Sequence, residues 1–159
     1  MRPSATATDL WRGWYFEELE VGQRFDCGRI TVTESQIAES CQLTGDFNPL
    51  HTDDVFAAES RYGRRIAPGI LTAGLVLAPI GRIMGRASET HFEDHIRYLL
   101  PVYAGDTLSI EIEVLAREPR SKFGVVRYRH RGLNQDQRCV IEIETVMGHR
   151  YRPAGPNDG

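Results

Sequence analysis

The sequence predicts an α+β domain in which one antiparallel sheet wraps a single apolar helix. Three observations predict it. Residues 69–78 are almost all apolar or small, so a helix there must be covered on most sides. Leu108, Ile110, Ile112 and Val114 alternate with Ser109, Glu111 and Glu113, the period of a strand with one packed and one wet face. The chain order is one strand, then helices, then a run of long strands, and a sheet curled round one helix is the compact solution to that order.

A chain of 159 residues suits one domain that buries roughly two thirds of its unfolded surface. No linker or repeat divides it, so 14–149 reads as the domain, with flexible termini at 1–13 and 150–159. Lys+Arg 19 against Asp+Glu 22 leaves a net charge of −3, which supplies no electrostatic reason for a nucleic-acid partner. Cys27, Cys41 and Cys139 are odd in number and scattered, a pattern of the reducing cytoplasm and not of a disulfide scaffold or a zinc site. The most apolar run, 66–83, is interrupted by glycines, prolines and Arg82, and no basic segment leads into an apolar one at the amino terminus. Neither a membrane span nor a signal peptide is expected.

The elements follow in order. A first strand over 23–32 is irregular near Gly28. Thr33-Glu-Ser-Gln36 has the form of a capping box, opening a helix from Glu34 to about Leu43 that buries Ile37, Ala38 and Cys41. Gly45 and Pro49 end it and make 44–49 irregular. Thr52 or Asp53 caps a short helix through Phe56 to Ser60, and 62–66 is a loop. Pro68 suits the first position of the central helix, where its missing donor costs nothing; Pro79 kinks or ends that helix, because it cannot donate to the Leu75 carbonyl. Residues 91–99 alternate as a strand, with His91, Glu93, His95 and Arg97 on one face and Phe92, Asp94, Ile96 and Tyr98 on the other. After a turn at 101–106 come the strand around 108–114 and two more over 123–131 and 139–147, separated by a polar turn at 132–136.

Two residues carry the candidate chemistry. Asp46 and His51 lie five apart in Thr44-Gly-Asp-Phe-Asn-Pro-Leu-His51-Thr-Asp, where Asn48-Pro49 can bend the chain and bring both side chains to one point. A carboxylate and a neutral imidazole converging on one water can polarise it and shuttle its proton, as hydration and dehydration require. Two readings stand: that catalytic one, or a turn cap at Asp46 and a core-packed histidine. The amino end of the helix after Pro68, with the Gly69 amide first, is suited to the negative charge that develops on a carbonyl oxygen. Thr72, one turn on, faces either a substrate or a neighbouring carbonyl. Arg61, Arg64 and Arg65 are candidates for anionic groups or are solvent-facing cations. His91 and His95, sharing a strand face, are a weak metal pair, and Cys41 reads as a buried small hydrophobe. Phosphate-binding glycine motifs and the serine nucleophile elbow are missing from the sequence.

Gly-Asp-Phe-Asn-Pro-Leu-His51 resembles the signature of the MaoC-like or (R)-specific enoyl-CoA hydratases. The similarity continues through Val32-Thr-Glu-Ser, Thr52-Asp, Arg65-Ile-Ala, Gly69-Ile-Leu, Tyr98 to Pro101-Val, and Gly105-Asp106-Thr107-Leu108, covering about 15–148. It implies a hotdog fold and a lyase that hydrates a trans-2-enoyl thioester reversibly to an (R)-3-hydroxyacyl thioester. By motif match, Asp46 and His51 are catalytic, Gly69 holds the oxyanion, Asn48 orients the loop and Thr72 lines the pocket. Arg61, Arg64 and Arg65 are then substrate-binding candidates, steering coenzyme phosphates. No metal and no cofactor is implied, since the coenzyme A or carrier-protein thioester is part of the substrate. A single unit of this kind implies a homodimer. The family commonly has His-Gly where this chain has Pro68-Gly69, which removes a side-chain donor while leaving the Gly69 amide. The alternatives are a non-catalytic acyl-thioester-binding subunit and, on the same fold, a thioesterase.

Overall fold

Among the described residues every α-helix falls between the first strand and the second, and the remaining strands then wrap round them. The computed structural model describes residues 11–153; the expectations for 1–10 and 154–159 lie outside the described residues. The strands are β1 (Arg24–Thr31), β2 (Ser88–Tyr98), β3 (Thr107–Pro119), β4 (Gly124–Leu133) and β5 (Cys139–His149). The helices are α1 (Glu34–Thr44), α2 (Pro49–Thr52), α3 (Asp54–Glu59), α4 (Gly69–Leu77) and α5 (Ile80–Met84). One five-stranded antiparallel sheet, ordered β1-β3-β4-β5-β2, curls round α4 and α5 as a hotdog.

Local chemistry sets the helix ends. Thr33 Oγ1 accepts from the Gln36 amide at 3.1 Å while Gln36 Oε1 accepts from the Thr33 amide at 3.0 Å, so the capping box forms at α1. Gly45, at φ 75°, closes the same helix in the left-handed region and donates to the Cys41 carbonyl. Pro68 is not the first residue of α4 but its cap. Its backbone is extended (φ −54°, ψ 139°) and its carbonyl accepts the Thr72 amide, which makes Gly69 the first helical residue.

The central helix packs hard on the sheet. Val76 is fully buried, and a Cβ added at Gly132 of β4 would stand 2.9 Å from Val76 Cγ2 and 2.9 Å from Ile141 Cγ2. Only glycine lets α4 approach this closely. Pro79 then ends the regular helix, and the break divides the core. Ala73 and Val76 of α4 pack with Val32, Ile37, Leu108, Ile110, Ile141 and Ile143. Ile80, Ile83 and Met84 of α5 pack with Phe16, Leu19, Ile112, Val126 and Tyr128. The stretch Gly69–Ala87 has the length and hydropathy of a membrane span, yet it is the core helix of this domain.

The far side of the sheet is ionic. Arg24 and Arg129 reach Glu113, Arg127 reaches Glu93 and Glu144, and Arg97 pairs with Glu142. One alternation differs from expectation. A register shift between His91 and Glu93 turns His91 onto the face of Asp94, whose Oδ1 it meets at 2.9 Å, so His91 and His95 share no face and form no metal pair.

Residues on both sides of 14–149 contact the body. The Trp11 carbonyl accepts from the Arg86 amide, and the Arg150 amide donates to the Ala87 carbonyl. Glu18 draws the two ends together, receiving Arg12 at 2.8 Å and Arg152 at 2.8 Å. Burial alone would raise its carboxyl, but Arg12, the Tyr15 amide and Arg152 bring it down to about 2.

Candidate active site

Asn48 organises the loop that composition alone predicts to be irregular. Its side chain accepts the Leu50 amide at 3.0 Å and, with Pro49 next, turns Pro49–Thr52 into one helical turn that carries His51. Thr52 Oγ1 donates to the carbonyls of Phe47 and Asn48, tightening the same turn. Asp46 Oδ1 accepts the Asn48 amide at 3.3 Å, which leaves Oδ2 toward the histidine.

The result is a facing pair. His51 Nε2 stands 3.7 Å from Asp46 Oδ2, with His51 almost buried and the Asp46 side chain 45% exposed. On the other side of the ring, Nδ1 lies 2.8 Å from the Ile66 carbonyl. A carbonyl only accepts, so Nδ1 carries the proton and Nε2 of the neutral ring keeps its lone pair toward Asp46. This is the tautomer a general base needs.

His51, Gly69 and Thr72 line one cleft of about 280 Å³, together with Arg61, Tyr62, Ile66, Ala67 and the run Tyr98 to Val102. Asp46 does not line this cleft and meets it through His51. The Gly69 amide, first of α4, has no intrahelical acceptor, and Gly69 lines the cleft. Thr72 is 4% exposed and its hydroxyl has no hydrogen-bond partner among the described residues. The Ala67 amide donates to the Val102 carbonyl at 2.7 Å, tying the wall of the cleft to the approach of α4.

The three arginines separate. Arg61 lines the cleft and lies over the Tyr62 ring at 4.7 Å, and Arg64 lies over Tyr103 at 4.3 Å. Arg65 is turned inward on the protein: it meets Asp54 at 2.6 Å, Glu34 at 3.0 Å and the His51 carbonyl at 3.3 Å. Cys41 is buried; burial, then the charge of Asp46, pushes its thiol up and away from nucleophilic chemistry.

Sequence spacing gives no reason to place Tyr98 here. Its ring lies against the position a Cβ on Gly69 would take, with Cε1 and Cζ 3.1 Å from that point. The only hint was that Tyr98 heads the run to Pro101-Val that the family resemblance includes. Tyr62, Leu99 and Leu100 join the wall by the same tertiary route.

The MaoC like domain matches residues 17–132, and the chain belongs to that family. The 3-hydroxybutyryl-CoA dehydratase of Methylorubrum extorquens is 32% identical over 108 residues, covering 68% of this chain and 68% of the relative. The (R)-specific enoyl-CoA hydratase of Rhodospirillum rubrum is 30% identical over 113 residues, 71% of this chain and 78% of the relative. Among solved structures, the R-hydratase PhaJ1 of Pseudomonas aeruginosa superposes with a TM-score of 0.76 at 30% identity, over 87% of this chain and 86% of that one.

Proposed function

We propose that this protein is a hydro-lyase that adds water reversibly across a trans-2-enoyl thioester to give an (R)-3-hydroxyacyl thioester. The observation that carries the reading is the ring of His51: Nδ1 is committed to the Ile66 carbonyl, so Nε2 faces Asp46 as a proton acceptor beside the amino end of α4. The names of the relatives supply the substrate class, an acyl thioester.

In the hydration direction a water touching both His51 and Asp46 attacks C3 of the enoyl group. His51 Nε2 takes one water proton as the oxygen–carbon bond forms, and Asp46 stabilises the imidazolium that results. The C2–C3 π electrons move toward the thioester oxygen, which the Gly69 amide and the positive end of α4 hold. C2 then takes a proton from the acid/base pair, and the carbonyl is restored. Dehydration runs the same steps backwards. Asn48 holds the loop in register, and Thr72 and the wall from Tyr98 to Val102 surround the acyl group.

The site is proposed to work in a homodimer. β2 is an edge of the sheet and runs directly into the cleft wall, with Phe92, Tyr98 and Leu99 about half exposed along it. A second copy pairing along this edge covers Phe92 and walls the open side of the cleft, which Tyr98 and Leu99 line.

The test is turnover of enoyl and hydroxyacyl thioesters with product stereochemistry. Asp46→Asn and His51→Gln are each expected to lower kcat by about 10²-fold or more while leaving substrate binding and folding in place. Full hydration by either folded variant rejects the assignment.

A further inference from the structure

We propose that Tyr98 is a second oxyanion donor, its phenolic hydroxyl sharing the thioester oxygen with the Gly69 amide. The inference rests on the hydratase reading above and adds a catalytic residue to it. Tyr98 ends β2, and Ile96, two residues earlier on the same face, packs into the core round α4. That places the Tyr98 ring over the first residue of α4. Its Oη lies 3.4 Å from the point a Cβ on Gly69 would occupy.

The geometry admits one oxygen between the two donors. A Cβ position is about 2.5 Å from its own amide nitrogen, so Tyr98 Oη stands within about 6 Å of Gly69 N. Two donors that each bond one oxygen at roughly 2.7–3.1 Å are separated by no more than about that distance. The hydroxyl is also free: it makes no hydrogen bond among the described residues, and Tyr98, 54% exposed, lines the cleft. A free phenol beside an unsatisfied helix amide, on two residues that line the cleft with His51, makes a pair of donors within reach of one oxygen.

The chemistry gives this pair a purpose. Pro68 has neither a side-chain donor nor an amide hydrogen, so the residue before Gly69 offers the carbonyl nothing. Tyr98 reaches the same oxygen from the sheet, across the cleft. It also gives the missing side chain of Gly69 a use, because a Cβ there would press on the ring that brings the hydroxyl in, at 3.1 Å.

The experiment uses Tyr98→Phe in the full chain, which keeps the ring on Gly69 and removes only the hydroxyl. With a trans-2-enoyl-CoA substrate, kcat is expected to fall by about 10²-fold with KM changed by less than about twofold. The decisive readout is the infrared carbonyl stretch of bound butyryl-CoA labelled with ¹³C at the thioester carbon, a saturated probe that cannot react. It is expected to move to higher wavenumber in Tyr98→Phe than in the wild type, as one hydrogen bond is lost. An unchanged stretch with probe bound to both proteins overturns the role of Tyr98 whatever the rates, and leaves the hydratase reading standing. If neither protein binds butyryl-CoA and the wild type hydrates no enoyl thioester, the hydratase reading falls and takes this inference with it.

Discussion

Arg65 holds His51 by its main chain: Nη1 donates to the His51 carbonyl at 3.3 Å, while Nε and Nη2 of the same guanidinium meet Asp54 and Glu34. One side chain thereby fixes α1, α2 and α3 to each other directly behind the candidate base. Its planar fork makes three directed bonds at once, which a lysine cannot copy.

The arginines are therefore expected to respond differently. Arg65→Lys should lower kcat and stability, because the turn carrying His51 loosens. Replacing Arg61 and Arg64 together by Gln should leave kcat in place and raise KM for a coenzyme A thioester several-fold, more at low salt, with less change for a short uncharged thioester. Steady-state kinetics at two ionic strengths separates the cases; equal effects on both substrates would exclude phosphate steering.

Gly132→Ala tests the contact that seats α4. The added methyl would stand 2.9 Å from the stiff, β-branched Val76 and Ile141, neither of which can swing away cheaply. A loss of about 1–3 kcal/mol is expected, read as a lower denaturant midpoint at unchanged slope. A midpoint equal to the wild type would mean that the helix seats elsewhere.

The buried histidines predict an acid-sensitive fold. His130 is fully buried, and neither ring nitrogen has a well-formed hydrogen bond among the described residues. Burial pushes its pKa down to about 4. His149 is lowered in the same direction by burial, although it is well bonded between Tyr128 Oη and the Trp14 carbonyl. The unfolded chain binds these protons near pH 6.5 and the folded one does not, so stability is complete above about pH 6.5 and is lost as pH falls toward 4. For His130 the loss is on the order of 3 kcal/mol. His130→Leu should flatten this limb and leave stability at pH 7.5 equal or higher, since it removes an unpartnered polar group. Denaturation midpoints from pH 7.5 to 4.5 that run parallel in the two proteins would contradict the account.

The proposed dimer through β2 would make activity depend on concentration. Sedimentation at micromolar concentration is expected to show twice the chain mass, and turnover per chain should fall on dilution below the dissociation constant. A stable monomer with full turnover would remove the partner copy from the site.

Much of this protein was legible in its residues because the determining interactions are local. Thr33 and Gln36 cap α1 from three residues apart, Gly45 ends it, Pro79 breaks the central helix by lacking a donor, and a period of two marks β3 and β5. The pairing of Asp46 with His51 was suggested by their spacing, but Asn48 supplies the helical turn that achieves it, through a side-chain cap that composition could not distinguish from loop. The tertiary structure alone decided what approaches across the fold. The carbonyl that sets the His51 tautomer belongs to Ile66, the ring over Gly69 belongs to Tyr98 at the end of a strand, and Arg65 turns from solvent to Asp54 and Glu34. A register shift of one residue in β2 moved His91 away from His95. Local rules determine where elements begin and end, because those bonds close within a few residues. Side-chain partners in the site are set by strand register and by the approach of α4 to the sheet, which depend on packing between residues far apart in the chain.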